Sequence, residues 1–250
     1  FLDWVDERIG RVDIDDDADS PDIDVVSSKW KSENAEAKLT IYVPRGASLD
    51  IETVSAPISV SGVSGSSLEL QTTSGSIDVD GGFSNTEIEG VSSGIRLVNA
   101  TGNVSVSNVS GKVYVQGGVN DLEIDVVSGG IEMEIDAQAV QAESESSSIQ
   151  FKGHVGDEIQ AESVSGSIKY SGTVGPHGEL ELHVLSGSIT VEFDEPAYGD
   201  YELSTFSGSI KCDLEPLRNL QRDGKRMEFE FGDGDCSVEL ESFSGSVSVR

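Results

Sequence analysis

The chain has 250 residues, of which 36% are apolar, and 46 acidic against 16 basic side chains give a formal net charge of −30. That charge excludes generic nucleic-acid binding, which requires a basic surface facing phosphate, and it opposes adhesion to anionic lipid. No apolar run reaches the ~18 residues of a membrane-spanning helix, so no direct membrane insertion is expected of this chain. Two readings of the acidity stay open: a halophilic surface kept hydrated by carboxylates, and recruitment of cations such as Ca²⁺ by oxygen ligands.

Residues 1–48 hold Trp4, Trp30 and the segment KLTIYVPRG but lack the repeat that fills the remainder. They read as an N-terminal cap with irregular first strands, covering an edge that would otherwise invite pairing. The chain opens on Phe1 rather than Met, with acids early in FLDWVDERIG. It is therefore expected to be processed, with an export signal or anchor outside this sequence. In VDIDDDADSPDID, the residues Asp13, Asp15, Asp17, Asp19 and Asp24 match calcium-loop positions 1, 3, 5, 7 and 12. Ala18 stands where such a loop needs Gly, and Asp24 where it needs a bidentate Glu, so a plain acidic loop competes with a calcium site.

From Leu49 onward one small unit recurs. The apolar residues after each Ser-rich turn are Ile58, Ile77, Ile95, Val113, Ile131, Ile149, Ile168, Ile189, Ile210 and Val247. Their spacing is 18 to 21 residues until Ile210 and 37 thereafter. Placing a hidden repeat position at Phe229 splits 37 into 19 and 18 and gives eleven units. Nine and seven residues before these anchors stand pairs such as Leu68/Leu70 and Leu122/Ile124, and two after them stand Val79, Val115 and Met133. Alternation at period two marks strands with one buried face. The residues four before the anchor (Val54, Val91, Val109, Val127, Val164, Leu185, Phe206 and Phe243) are counted among these apolar positions. A unit this short cannot enclose a core, but stacked units can. The expected fold is all-β: a single-stranded β-helix, or β-solenoid, of about eleven coils over residues 49–250. An irregular coil is expected over about 213–237. A β-sandwich is the structural alternative.

The turns carry a ladder of Ser-Gly pairs: Ser74-Gly75, Ser110-Gly111, Ser128-Gly129, Ser165-Gly166, Ser186-Gly187, Ser207-Gly208 and Ser244-Gly245. Gly is expected there for a positive φ, and the stacked serines are expected to bond between coils. No base accompanies the serines, so they read as structural rather than nucleophilic. On the outward face, six and eight residues before each anchor, thirteen of twenty places are carboxylates.

The only basic cluster, Arg218, Arg222, Lys225 and Arg226, lies in the irregular coil. A solvated loop and a contact with an acidic neighbouring subunit both explain it. Cys212 and Cys236 flank it, and a bridge between them is open in an oxidising compartment. The chain stops within one residue of Val249, so its last coil is expected to be bare unless something covers it, and a bare coil invites end-to-end stacking. His154, His177 and His183 match no metal spacing, and no phosphate loop or nucleophile elbow occurs. No enzyme activity and no cofactor are expected.

The stretch LTIYVPRGASLDIETVSAPISV, the recurring VSG-x-I-x-V and the closing GDGDCSVELESFSGSVSV resemble an adhesin-type β-strand-repeat family of bacteria and archaea without an assigned function. The resemblance covers about residues 39–250, and the acidity resembles that of haloarchaeal members. It implies an exported or membrane-tethered β-helix, right-handed by analogy, with no catalytic residues to carry over. The resulting expectation is a non-catalytic extracellular or cell-surface protein, adhesin-like or a scaffold, whose partner is a surface glycan or protein. The alternatives are a structural filament subunit whose partner is itself, stacked end to end, and a polysaccharide-active β-helix enzyme.

Overall fold

The computed structural model describes residues 11–15, 22–26 and 40–250. Two strands, β1 (Arg11–Asp15) and β2 (Asp22–Val26), pair antiparallel, with Asp13 opposite Asp24. The remaining strands are β3 (Leu49–Thr53), β4 (Ile58–Ser61), β5 (Ser67–Ser74), β6 (Ile77–Asp80), β7 (Asn85–Ser92), β8 (Ile95–Ser110), β9 (Val113–Ser128), β10 (Ile131–Ser144) and β11 (Ile149–Ser165). They continue as β12 (Ile168–Val174), β13 (Glu179–Ser186), β14 (Ile189–Phe193), β15 (Gly199–Ser207), β16 (Ile210–Cys212), β17 (Leu217–Arg222), β18 (Arg226–Phe231), β19 (Cys236–Ser244) and β20 (Val247–Val249). No helix occurs among the described residues.

Parallel pairing at the repeat spacing makes this a β-solenoid. Ile58 pairs with Ile77, Ile77 with Ile95, Ile95 with Val113, and so on in one file through Ile131, Ile149 and Ile168 to Ile189. These eight coils follow one another in chain order. Every member of the file is buried, and so are Leu68, Leu70, Val79 and Val115 of the parallel files beside it. Each such aliphatic side chain contributes about 1.5–3 kcal/mol of burial. Bulkier groups fill the wider coils: the rings of Phe151 and Tyr170 stack at 4.9 Å, and the Tyr170 hydroxyl donates to Thr173 O at 2.7 Å.

The far end departs from the repeat. Ile189 pairs next with Val247, and Val247 pairs with Ile210. The C-terminal coil (β19, β20) is therefore slotted between the coil of β13 and β14 and that of β15 and β16. Phe229 starts no coil of its own. It lies in β18, antiparallel to β15, facing Tyr201 with ring centroids 4.8 Å apart. Residues 213–235 thus leave the stack as a hairpin, and the count stops short of the eleven coils expected. The last coil is not bare, because a neighbour pairs with it on both sides.

The hairpin is where the basic cluster acts. Arg222 donates to Ile210 O at 3.3 Å and Lys225 to Gly208 O at 2.9 Å, satisfying carbonyls that the terminal coil would leave open. Arg226 pairs with Glu202 at 2.8 Å and also contacts Glu228, while Arg218 contacts Asp233. These cations fasten the cap to its own chain.

Candidate ligand groove

The Ser-Gly turns owe their shape to the close approach of neighbouring coils. A Cβ on Gly187 would lie 1.7 Å from Gly166 O, and one on Gly245 1.7 Å from Gly187 O. A positive φ adds to this at Gly111 (122°) and Gly75 (138°), but none is found at Gly166 or Gly208, where contact alone requires glycine. The turn serines face outward, and the corner is satisfied mainly by inward polar side chains five positions before seven of the ten anchors. Asn108 Nδ2 donates to Ser93 O at 2.9 Å, Ser163 Oγ to Ser147 O at 3.1 Å, Ser242 Oγ to Gly187 O at 2.9 Å and Thr205 Oγ1 to Gly245 O at 3.0 Å. Among the turn serines, Ser74 makes a comparable bond, to Val54 O at 3.3 Å.

This inward column corrects one sequence expectation. Position five before the anchor is in phase with positions nine and seven, so position four must point the other way. The apolar residues there are exposed: Val54 70%, Val164 52%, Leu185 54%, Phe206 71% and Phe243 50%. The last two stack ring on ring at 4.8 Å and 6°. Two residues earlier on the same outward face runs a polar column. In stacking order it reads Glu52, Gln71, Glu89, Ser107, Asp125, Glu143, Glu162, His183, Glu241 and Ser204. Between them the two columns line a groove along the stack of about 1040 Å³.

Its electrostatics are one-signed. Burial first, then Glu143 and Glu123, push the Asp125 carboxyl above its ordinary range. His183 stands 3.6 Å from Glu241. Among the described residues no Lys or Arg pairs with a groove carboxylate; the cations pair elsewhere, as Lys169 does with Glu192 and Arg96 with Asp78. No nucleophile–base pair lines the groove, and the three histidines sit apart, with His154 bonded to Thr173 at 2.8 Å and His177 near Asp235 at 3.4 Å.

The other candidate residues stay dispersed. Asp13 and Asp15 lie on β1 and Asp24 on β2, while Asp17 and Asp19 lie outside the described residues. Asp13 lies opposite Asp24 in that strand pair, and no group of three or more possible metal ligands occurs among the described residues. Cys212 and Cys236 are free thiols, not a bridge. Register pairs Cys212 with Val249 and Cys236 with Gly199, and Cys236 Sγ donates to Gly175 O at 3.0 Å.

No curated protein and no solved structure matches the chain. One family does, a β-repeat domain of unknown function. The match runs over residues 7–250, nearly the whole sequence and every coil described above, and so the chain belongs to the Toastrack DUF4097 family.

Proposed function

We propose that this chain is a non-catalytic, adhesin-like binding scaffold, presented on the cell surface or secreted, that holds its ligand in the groove. The exposed apolar column carries this reading. Eight of the ten coils place Val, Leu or Phe at a position where the fold buries nothing. Contiguous exposed apolar surface of this kind marks interaction sites. A surface glycan or protein is the partner class, reached through stacking on Phe243 and hydrogen bonds to Glu241 and the other groove carboxylates. End-to-end filament assembly has less support, since the C-terminal coil is paired on both sides and a hairpin strand pairs with the coil beyond it.

The test is a glycan and protein array probed with the unaltered chain and with Val127→Ser/Leu185→Ser/Phe243→Ser. These side chains are exposed and the substitutions add no charge, so both proteins should melt alike. Ligands retained by the first and lost by the second support the reading. An array silent for both, or signals indifferent to the substitutions, would overturn it.

A further inference from the structure

The groove is patterned at twice the coil spacing. Along its polar column carboxylates occupy the first, third, fifth, seventh and ninth coils, as Glu52, Glu89, Asp125, Glu162 and Glu241. Gln71, Ser107, His183 and Ser204 hold four of the five alternate places, and Glu143 the other. Each of the five carboxylates has an exposed apolar residue two positions on: Val54, Val91, Val127, Val164 and Phe243. The alternate coils carry no such pair, because Thr73 and Glu145 interrupt the apolar column and the remaining three lack the acid.

Neighbouring parallel strands lie about 4.8 Å apart, so this acid–apolar pair repeats every ~9.6 Å along the stack. A polyproline II helix has three residues per turn and rises about 3.1 Å per residue, a repeat of ~9.3 Å. The two lattices drift by only about 1.2 Å over the four intervals between the first and fifth carboxylates. An extended strand fits less well, because every third residue points to the opposite side, and an α-helix repeats at about 5.4 Å. The sign of the groove requires a cation at the matching position, and its apolar wall accepts pyrrolidine rings.

We infer, resting on the binding reading above, that the groove takes a cationic, proline-rich polypeptide segment in the polyproline II conformation, with Arg or Lys at every third residue, lying along the solenoid axis. The basic side of each turn meets one carboxylate, and the proline side lies against the valines and Phe243. A second copy of this chain is a poor occupant, because its basic cluster is engaged in its own cap and its net charge is repulsive.

Fluorescence anisotropy of the intact chain with a labelled (Arg-Pro-Pro)5 peptide tests this, against a labelled peptide of the same composition with its arginines in one block. The spaced peptide should bind at least fivefold more tightly. Glu89→Gln/Asp125→Asn/Glu162→Gln should weaken it at least tenfold. Asp136→Asn/Asp157→Asn/Asp194→Asn, which removes equal charge outside the groove, should change it less than twofold. Equal affinity for both peptides, or equal loss in both triple variants, would show only general attraction to an acidic protein and overturn the inference. So would absence of binding to either peptide. If array ligands still depend on Val127, Leu185 and Phe243 in that event, the binding reading stands and only this occupant falls.

Discussion

Val247 lies in the file of buried anchors between Ile189 and Ile210, although 58 residues separate it from the first and 37 from the second. Its amide donates to Ser209 O, and the Gly245 amide to Ser207 O, while the Gly187 amide donates to Ser244 O from the other side. The last coil is thus interior by pairing and terminal only by sequence. Native-state hydrogen exchange should show the Gly245 and Val247 amides exchanging as slowly as that of Ile131, near the global unfolding limit. Fast exchange, as at a fraying terminus, would place this coil at the end of the stack instead.

The cap makes a separate prediction. Arg222 and Lys225 are exposed and donate to carbonyls of the outermost coil. Their joint replacement by Ala should cost only about 1 kcal/mol of stability, as exposed polar contacts do. It should also open a strand edge, and open edges pair with other molecules. Light scattering at rising concentration should therefore detect association in the double variant and none in the unaltered chain. Phe229→Ala removes a buried stacked ring and should cost about 3–5 kcal/mol in denaturant unfolding.

The repeat was legible because stacking forces equivalent side chains into equivalent surroundings. Constant spacing and period-two apolar pairs are enough to infer parallel files such as Leu68 through Leu122. The order of the coils was not legible. A gap of 37 residues fits two coils as readily as one hairpin and a return, and Phe229 and Met227 alternate as they would in either case. The groove was half legible. The acids are evident, but the apolar character of Val127 and its equivalents suggests burial unless the phase of the strand is followed residue by residue. Counting from Ile124 through Val126 places Val127 outside, and that arithmetic needs no coordinates.

Contact between coils at the turns makes a sharp contrast between two glycines. Gly208, which has no positive φ, has the Gly245 carbonyl oxygen 1.7 Å from where a Cβ would stand, whereas nothing lies within 4 Å of the equivalent point on Gly118. Gly208→Ala must push two coils apart and should cost on the order of 3 kcal/mol. Gly118→Ala should stay within about 0.5 kcal/mol of the unaltered chain, as open surface positions do. Equal costs in chemical denaturation would remove the close-approach account of the Ser-Gly ladder.

The outward carboxylate columns predict salt dependence. Glu69 pairs in register with Asp50 and Glu87, and Glu239 with Glu181 and Glu202, so like charges often face each other across one strand spacing. Screening length falls from about 30 Å at 0.01 M salt to about 3 Å at 1 M. Each ~1 kcal/mol of repulsion removed raises Tm by roughly 2–4 °C in a chain of this size. We expect Tm to rise by at least about 5 °C over that range of salt. A flat Tm would mean that the acidic face does not strain the fold, and would also remove the support for a halophilic surface.

Acidification should act in the same direction, but only within a window. Partial burial, Glu143 and Glu123 raise the Asp125 carboxyl above its ordinary value of 3.8, and burial with Glu179 and Glu239 raises Glu181 above 4.5. A carboxyl with a raised folded value takes up its proton in the native state before the unfolded chain does. Stability therefore increases as pH falls through the folded value, and the gain is complete at the unfolded one. Glu192 opposes this, since its bond to Lys169 lowers it below 4.5 and its contribution is lost as pH falls through that lowered value. Tm should accordingly climb from pH 7 toward the ordinary carboxylate range and decline below it. Asp125→Asn should raise Tm at pH 7 and shrink the climb, because the charge that resists burial is gone at every pH. A monotonic decline from pH 7, with Asp125→Asn tracking the unaltered chain, would show that the crowded groove carboxylates do not govern stability.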